Sequence, residues 1–478
     1  MRFKGRAADL ALLDTQFRTV VDGTGAARGR AVVVAGRRRV GKSRLVQEFC
    51  DRSGVPYVVF QATRGRRPEA ERADFARSLD SLSGGELVAG LQAADWNQAL
   101  RSLAIALPDD EPSIAVIDEV PWLVEQDGEF EGALQTVWDR FLSAKPVLLI
   151  LVGSDLSVME ALQAHGRPFF GRAAMMMVRP LHLADVAAMT GQSGADAVDA
   201  LLITGGFPEI VQSWQPGMSR KQFLRHAMIN PLAPLLVAGE LSLLGEFPET
   251  SQTRAVLEAV GAGERTFSAI AAQAGGTGAM PSGTLAPILN TLQAKQVVAA
   301  ELPLSTRSDS KNRRYRVADP YLRFWLAFLQ RGIPLIERGR GDLALERIER
   351  GWTSWRGRAV EPIVRASLLR LLPDDRWPET EAIGGWWNRQ NNPEIDLVGT
   401  DREPTARAVH FVGSIKWLDS QPFGRREFQA LARDALAVPG ATPDTPLVAV
   451  SRRAVDDSLP LAMSWGPDDL VRAWGDPV

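Results

Sequence analysis

The amino-acid sequence predicts an α/β protein built around a parallel five-stranded sheet, which is followed by smaller helical and mixed modules. Apolar, β-branched runs alternate with helical patterns through the first 180 residues. The runs are almost continuously apolar, as expected of strands in a sheet that helices cover on both faces. After residue 180 the pattern changes, first to helices alone and later to a tryptophan-rich segment.

The strands of the sheet are predicted where short apolar runs stand between helical patterns. Long amphipathic stretches separate these runs, and the stretch 74–107 is an example. Parallel neighbours need crossover connections of this length. We therefore predict five strands, at residues 31–35, 57–61, 113–117, 147–152 and 174–178.

The rest of the chain is predicted to form three further domains. Helical patterns at 253–260, 266–274 and 282–294 precede a predicted hairpin at 297–303 and 314–317, which is the order of a winged helix. Nine of the 13 tryptophans follow residue 320, which indicates a separate C-terminal module with a helix at 357–372 and strands at 395–398 and 408–412. The predicted domains are 1–180 (sheet core), 181–249 (helical lid), 250–320 (winged helix) and 321–478 (C-terminal module).

Composition limits the class of protein. The 478 residues correspond to roughly three domains. The single cysteine, Cys50, excludes an intrachain disulfide and is typical of a reducing compartment. No apolar run approaches membrane-helix length and the N-terminal residues lack a secretion signal, so we expect a cytoplasmic protein without a membrane partner. A net charge of −2 argues against a uniformly basic surface but allows a local basic patch.

Residues 36–43 match the phosphate-loop pattern G-x-x-x-x-G-K-S in full, between a predicted strand and a predicted helix. In that context backbone N–H groups turn toward a phosphate, and the helix start adds partial positive charge. Lys42 is expected to reach the β- and γ-phosphates of ATP, and Ser43 to ligate Mg²⁺. The alternative is a chance match in a glycine- and arginine-containing turn. The expected nucleotide contacts are Gly36, Arg37, Arg38, Arg39, Val40, Gly41, Lys42, Ser43 and Arg44.

An apolar strand at 113–117 ends in two acids, Asp118 and Glu119. Acids at the end of a buried strand are costly unless they act at the edge of the sheet. Asp118 is expected to hold Mg²⁺ through water, and Glu119 to polarise the attacking water. The alternative is an acidic cap for the next helix.

Two further residues are candidate catalytic groups. Ser154 follows the strand at 147–152, where a small polar side chain can contact the γ-phosphate or the attacking water. Arg172 follows Gly171 and could stabilise transition-state charge, either in its own chain or from a neighbour. A simple turn and a surface arginine are the alternative interpretations.

These motifs resemble those of the archaeal-type ATPases in the AAA-related and STAND-like branch of P-loop proteins. The resemblance rests on the arginine-rich phosphate loop together with several short strings: residues 3–6, 117–122, 153–154, 171–172, 180–181 and 205–208. It implies ATP and Mg²⁺ as cofactors, and a five-stranded core followed by a lid and a winged helix. It also implies that the turn at Gly206 and Pro208 lies near the adenine, for which a purely structural bend is the alternative.

The C-terminal module resembles the nuclease-like domain of one subgroup of these ATPases, similar to the PD-(D/E)xK restriction-endonuclease fold. In that fold a helix glutamate, a strand aspartate, a second acid and a lysine surround a metal. Glu361, Asp396 and Lys416 match this pattern, but Ser414 stands where the second acid belongs. We therefore predict weak or no cleavage, with Glu394 as a possible substitute acid.

A structural alternative for the same residues is a buried pair between Asp396 and Lys416, packed by neighbouring tryptophans.

The function classes also stay open. Basic residues concentrate at 305–316, where a wing could contact DNA phosphates, although a solvated loop is the alternative. One hypothesis is an ATP-driven switch that binds DNA. A second is a signalling or assembly ATPase that binds protein or itself, and a third is an active nuclease.

Overall fold

The computed structural model describes residues 3–23, 28–246 and 251–475, and the side chains of 244–246 are not described. The chain divides into two units, Met1–Pro180 and Leu181–Val478. The division falls where the sequence predicted the end of the sheet core. The segments predicted as lid, winged helix and C-terminal module belong together in the second unit.

The first unit contains the parallel five-stranded sheet, which confirms the predicted fold class. Its strand order is β2-β3-β4-β1-β5, and every neighbouring pair is parallel. β4 is buried along its whole length, as expected of a central strand covered on both faces. The strands are β1 (Arg30–Ala35), β2 (Tyr57–Gln61), β3 (Ser113–Asp118), β4 (Val147–Gly153) and β5 (Ala173–Met177).

Helices connect these strands and cover the sheet. The predicted amphipathic stretch 74–107 is not continuous, because the chain turns at Gly84 and Gly85, and a side chain at Gly84 would lie 2.7 Å from the carbonyl of Ala106. The helices are α1 (Ala7–Val21), α2 (Lys42–Ser53), α3 (Pro68–Ser78), α4 (Trp96–Ala106), α5 (Val120–Gln126), α6 (Phe130–Arg140) and α7 (Leu156–Leu162).

The second unit begins with helices alone, as predicted, and continues with three helices and a hairpin in winged-helix order. The helices are α8 (Leu183–Thr190), α9 (Gly194–Thr204), α10 (Pro208–Ser213), α11 (Arg220–Ile229), α12 (Pro234–Glu246), α13 (Ser251–Gly261), α14 (Phe267–Ala274) and α15 (Ser282–Ala294). The antiparallel hairpin consists of β6 (Val298–Glu301) and β7 (Arg314–Val317).

Four α-helices and one π-helical turn follow the hairpin. The helix predicted at 357–372 is instead two helices, which meet at Val360, because Pro362 cannot donate the backbone bond of a helix interior and stands in the first turn of a new helix. The segments are α16 (Pro320–Phe324), the π-helix Trp325–Leu329, α17 (Ile333–Glu337), α18 (Gly341–Ala359) and α19 (Glu361–Leu371).

A mixed five-stranded sheet completes the second unit. Its order is β12-β11-β10-β9-β8, with β8, β9 and β10 antiparallel to one another and β10, β11 and β12 parallel. The two predicted strands correspond to β9 and β10, and the other three were not predicted. The elements are β8 (Ala382–Trp387), β9 (Glu394–Thr400), β10 (Val409–Lys416), α20 (Arg425–Ala435), β11 (Leu447–Ser451), β12 (Met463–Trp465) and α21 (Pro467–Arg472).

Candidate nucleotide-binding site

Three of the predicted site segments lie at one edge of the first sheet. The phosphate loop follows β1, the acid pair ends β3, and Ser154 follows β4, which lies between the other two strands. Since the strands are parallel, their carboxyl ends meet at the same edge. The strand order therefore brings the phosphate loop close to Ser154, which follows it by more than a hundred residues in sequence.

The phosphate loop leads directly into α2. Arg39 and Gly41 adopt left-handed backbone conformations, with φ of 67° and 90°. Gly41 caps the helix, so no side chain of the cap residue accepts a bond from the first N–H groups of α2. These groups and the helix dipole are suited to bind an anion.

Lys42 is the charged group at the centre of this loop. Its side chain is 7% exposed. Nζ donates to the carbonyl oxygens of Gly36 at 2.8 Å and Arg37 at 3.0 Å. Burial lowers the pKa of Lys42 to about 8, although the charges of Glu119 and Asp118 act in the opposite direction. A bound phosphate would place negative charge beside Lys42 and so stabilise the charged form of this ammonium group.

The two acids at the end of β3 have different environments. Asp118 is 5% exposed and accepts a bond from the backbone N–H of Glu119 at 2.8 Å. Glu119 has a φ of 57°, in the left-handed region, and is the cap residue of α5, but its side chain forms no capping bond. The Ser154 hydroxyl lies 3.1 Å from Oε2 of Glu119 and donates to it. The structure thus brings Glu119 and Ser154 together, and Ser154 orients the carboxylate.

Arg172 lies at the opposite edge of the sheet. It directly precedes β5, whose first residue pairs with Ala31 at the start of β1, whereas the phosphate loop follows the end of β1. A strand of this length separates the two edges by about 15 Å. Arg172 also forms two bonds of 2.7 Å with the carboxylate of Asp139. Arg172 does not reach the phosphate loop of its own chain, so only a role from a neighbouring copy remains open.

The sequence motifs gave no role to Trp122 or Arg64, which lie near the site. Trp122 on α5 lies close to two guanidinium groups, with Arg64 at 4.8 Å and Arg38 at 5.5 Å from its ring centroid. Arg38 belongs to the phosphate loop, and exposed Arg64 follows β2. Trp122 belongs to the string at residues 117–122, but no local pattern indicated Arg64.

Arg6 fixes the back of the phosphate loop. Its side chain is 6% exposed, and Nη2 donates to the carbonyl of Val40 at 2.5 Å. Nη1 donates to the carbonyl of Arg179 at 2.6 Å and pairs with Asp9 at 2.9 Å. The string at residues 3–6 was part of the resemblance, but its position gave no signal of this contact.

The glycine–proline turn of the second unit has a packing role. Leu181 N–H donates to the carbonyl of Gly206 at 2.8 Å. Gly206 has a φ of 73°, and a side chain there would lie 2.1 Å from the carbonyl of Leu181. Pro208 begins α10. Contact of Gly206 and Pro208 with the adenine stays a prediction.

The predicted nuclease-like residues come together only in part. Arg365 Nη2 lies 3.2 Å from Oε2 of Glu361 and 2.9 Å from the carbonyl of Asp396. Asp396 accepts bonds from the Ser414 hydroxyl at 2.9 Å and from the Ile415 N–H at 2.8 Å. Burial raises the pKa of Glu361 to about 7 and also raises the pKa of Asp396. Arg365 therefore neutralises Glu361, and two hydrogen-bond donors satisfy the Asp396 carboxylate.

Lys416 is not a partner of Asp396, so the alternative interpretation of a buried pair between these two residues is wrong. Lys416 Nζ lies 3.3 Å from Oε1 of Glu427 on α20. Glu394, the possible substitute acid, pairs with Arg314 at 2.5 Å and Arg265 at 2.9 Å. Two arginines therefore neutralise Glu394.

The predicted basic wing is largely docked on the second sheet. Arg314 is 6% exposed and lies over the ring of Trp387 at 4.2 Å, and Arg316 pairs with Glu301 at 2.5 Å. Asn312 exchanges two hydrogen bonds with Trp387, of 3.0 and 3.1 Å. The basic residues of this segment that stay exposed are Arg307, Lys311 and Arg313.

Within residues 3–23, 28–246 and 251–475, no three His, Cys, Asp or Glu side chains form a group that could hold a metal ion. Mg²⁺ in nucleotide sites needs only one or two protein ligands besides water and phosphates, so exposed Ser43 and buried Asp118 fit that requirement. In the same part of the chain, no helix has the length and hydropathy of a membrane span.

Comparisons with known proteins give remote matches. Residues 325–428 match the family model DUF234, described as archaea bacterial proteins of unknown function. An uncharacterized protein of Methanocaldococcus jannaschii is 22% identical over 409 residues, which cover 84% of this chain and 85% of the relative.

Two solved structures resemble the chain at low scores. A Walker-type ATPase of Pyrococcus abyssi has a TM-score of 0.48 at 17% identity, covering 68% of this chain and 96% of that one. The ORC2 protein of Aeropyrum pernix in ADPNP–ADP complexes has a TM-score of 0.43 at 13% identity, covering 71% and 95%. These scores carry no functional conclusion.

Proposed function

We propose that this chain binds ATP with Mg²⁺ at the phosphate loop and hydrolyses it slowly. The observation that carries the proposal is the placement of Lys42, a buried ammonium held by two loop carbonyls and close enough to Asp118 and Glu119 for their charges to act on its pKa. A buried cation of this kind needs an anionic partner, and the uncapped start of α2 offers N–H groups to the same ligand.

The residues of this site have distinct proposed roles. Lys42 and the first N–H groups of α2 bind the β- and γ-phosphates. Ser43 and Asp118 would hold Mg²⁺, which neutralises phosphate charge when it is bound. Glu119 orients the attacking water and takes its proton, while the Ser154 hydroxyl fixes the position of the Glu119 carboxylate.

Slow turnover follows from the position of Arg172. An arginine beside the γ-phosphate accelerates hydrolysis by about 10³- to 10⁵-fold in related chemistry. Arg172 lies at the far edge of the sheet in its own chain. Self-association that brings Arg172 of one copy to the phosphate loop of another would complete the site.

Titration of Mg-ATP into the purified chain tests the proposal. Lys42→Ala should lose nearly all affinity because the remaining N–H groups cannot neutralise the phosphates alone. Arg140→Ala removes an exposed cation from the end of α6 and is the matched control. ATP affinity in Lys42→Ala equal to that of the control would refute the assignment.

We propose that nucleotide binding controls a conformational switch in this chain, and that the chain binds DNA through the winged-helix and C-terminal modules. The exposed tip residues Arg307, Lys311 and Arg313 support phosphate contacts. Binding can shift a conformational balance only through differential contacts with the two states. Protease sensitivity between residues 180 and 320 should therefore differ with ATP, with ADP and without nucleotide.

A protein partner is the second candidate, and one observation favours it. The exposed face of α15, where a winged helix would read DNA, carries only uncharged residues: Ala286, Pro287, Asn290 and Thr291. Salt titration separates the two candidates, since DNA binding weakens steeply with salt.

An active nuclease is the third candidate, and the site geometry argues against it. Metal-dependent cleavage needs carboxylates free to hold a cation. Arg365 pairs with Glu361, and Ser414 donates to Asp396. We propose that the C-terminal module binds without cutting.

A further inference from the structure

A cleft of about 570 Å³ lies in the second unit between the winged-helix segment and α18. Its walls come from the end of α13, from β7, from the π-helix and from the second half of α18. The volume falls within the range of about 300–1,000 Å³ that is common for ligand sites. Of the functional residues predicted from the sequence, only those of the basic wing contribute to this cleft.

The charge of the cleft is strongly positive. Against one acid, Glu258, its walls carry five arginines: Arg265, Arg316, Arg323, Arg331 and Arg358. Arg265 and Arg316 are paired with acids of the second sheet and hairpin. Among the residues that the structure describes, the other three arginines have no carboxylate partner within 4.0 Å.

Arg323 shows that this charge is crowded. Its Nη1 donates to the backbone carbonyl of Arg358 at 3.2 Å. Burial lowers the pKa of Arg323 to about 10, the like charges of Arg316 and Arg265 act in the same direction, and the charges of Glu361 and Glu301 oppose them. A bound anion would relieve this repulsion, so the cleft is suited to a ligand with negative charge.

Two half-buried aromatic rings stand among these arginines. The ring centroids of Phe328 and Trp355 lie 5.6 Å apart at 69°. Phe328 belongs to the π-helix, in which Gln330 N–H donates to the carbonyl of Trp325 at 2.9 Å, five residues back. A side chain at Gly351 would lie 2.7 Å from the Phe328 ring, so this glycine lets the ring approach α18.

We propose that the cleft binds a single strand of nucleic acid, with the arginines on its phosphates and Phe328 and Trp355 against its bases. Cations and aromatic faces together are the features with which proteins hold single strands. A duplex conceals its base faces and would leave the rings unused. The proposal rests on the nucleic-acid output proposed above, but not on the ATP site.

The test is fluorescence anisotropy of the full chain with a labelled 15-residue oligo-dT, measured over a range of salt. Arg331→Ala/Arg358→Ala removes two exposed cleft cations that have no carboxylate partner among the described residues. Loss of two charge-assisted contacts should weaken binding by roughly 100-fold. The salt slope should fall by about 1.4. Arg338→Ala/Arg389→Ala is the control, with the same charge change on exposed residues outside the cleft.

A second measurement does not depend on variants. Oligonucleotides that carry 5-bromouracil should crosslink under ultraviolet light to peptides containing Phe328 or Trp355. Together, crosslinks at these peptides and a selective loss in the cleft variant support the proposal.

Other outcomes overturn it. Equal losses in the cleft and control variants would show that net charge alone attracts the strand. Equally tight binding of a duplex or of free dTMP would assign the cleft to another ligand. An acidic peptide that binds when the strand does not would point to a protein partner. If the chain bound no oligonucleotide at all, the proposal that it binds nucleic acid would fail as well. The Mg-ATP titration would still test separately whether Lys42 binds ATP.

Discussion

Arg356 and Asp199 form a buried ion pair that ties distant parts of the second unit together. Nη1 lies 3.1 Å from Oδ2, and the side chains are 1% and 4% exposed. Asp199 belongs to α9 and Arg356 to α18. Arg452, which follows β11, pairs with the same carboxylate at 3.3 Å. This cluster links the segments predicted as lid and C-terminal module within the second unit.

Asp199→Ala should destabilise the second unit. The substitution removes one carboxylate partner of the buried Arg356 guanidinium and leaves Asp419 at 2.9 Å as another, so the cost should stay below the ~3–5 kcal/mol of a fully broken buried pair. Asp196→Ala is the control, because Asp196 is 72% exposed and its contact with Arg452 is 3.5 Å long. Urea unfolding followed by tryptophan fluorescence measures both variants. Equal midpoints would show that the buried pair is not structurally important.

Glu119→Gln should bind Mg-ATP with wild-type affinity but hydrolyse it more slowly. Loss of a positioned general base costs about 10²- to 10⁴-fold in rate. Glu125→Gln, on the exposed side of α5, is the matched control. A phosphate-release assay measures turnover, and a wild-type rate in Glu119→Gln would place the water-activating role elsewhere.

Ser154→Ala should also slow ATP hydrolysis, but less than Glu119→Gln does. Its hydroxyl positions the Glu119 carboxylate, and one hydrogen bond of this type contributes about 1 kcal/mol, or roughly a fivefold change in rate. Ser154→Thr retains the hydroxyl and should recover part of the activity. If Ser154→Ala instead weakens ATP binding without changing turnover, the hydroxyl contacts the nucleotide directly.

ATP affinity should fall as the pH rises above 8. The pKa of Lys42 is lowered to about 8 by burial, so the free protein loses the ammonium charge from that pH upward. Phosphates favour the charged form, and ATP binding at pH 8–9 should therefore take up a proton. Calorimetry in buffers of different ionisation enthalpy measures the uptake. Lys42→Arg, which stays charged, should abolish it, and a flat affinity between pH 7 and 9.5 would contradict the prediction.

The lowered pKa of Lys42 has the opposite effect on the stability of the first unit from its effect on ATP affinity. Between pH 8 and 10.5 the unfolded lysine binds more protons than the folded one, so this group makes the first unit more stable as the pH rises. Stability and nucleotide affinity should therefore change in opposite directions over this range.

The wild-type chain should not cut plasmid or linear DNA with Mg²⁺, Mn²⁺ and ATP. Ser414→Glu restores the missing carboxylate and should increase Mn²⁺ binding, measured by calorimetry. Arg365 still pairs with Glu361 in that variant, so full gain of cutting should also need Arg365→Ala. Robust wild-type cutting that disappears in Asp396→Ala would show that the acids are available after all.

The sequence predicted the first sheet well because its strands are uninterrupted apolar runs, and each predicted boundary lies within one residue of the observed one. It missed β8, whose Gly384 and Gly385 break the apolar alternation, and the short β11 and β12 among prolines. The phosphate loop and acid pair are local strings and were predictable. The contacts of Arg64 with Trp122, of Arg365 with the Asp396 carbonyl and of Arg314 with Glu394 were not, because these partners lie far apart in sequence.

The docked wing has a practical consequence for recombinant fragments. β8 is an edge strand, and an open edge is a template for aggregation. The wing segment covers it, since Leu304 N–H donates to the carbonyl of Gly385 at 2.9 Å and Asn312 bonds to Trp387. A C-terminal fragment that begins after residue 320 would expose this edge and its tryptophans. Such a fragment should aggregate, whereas one that begins near residue 181 should stay in solution.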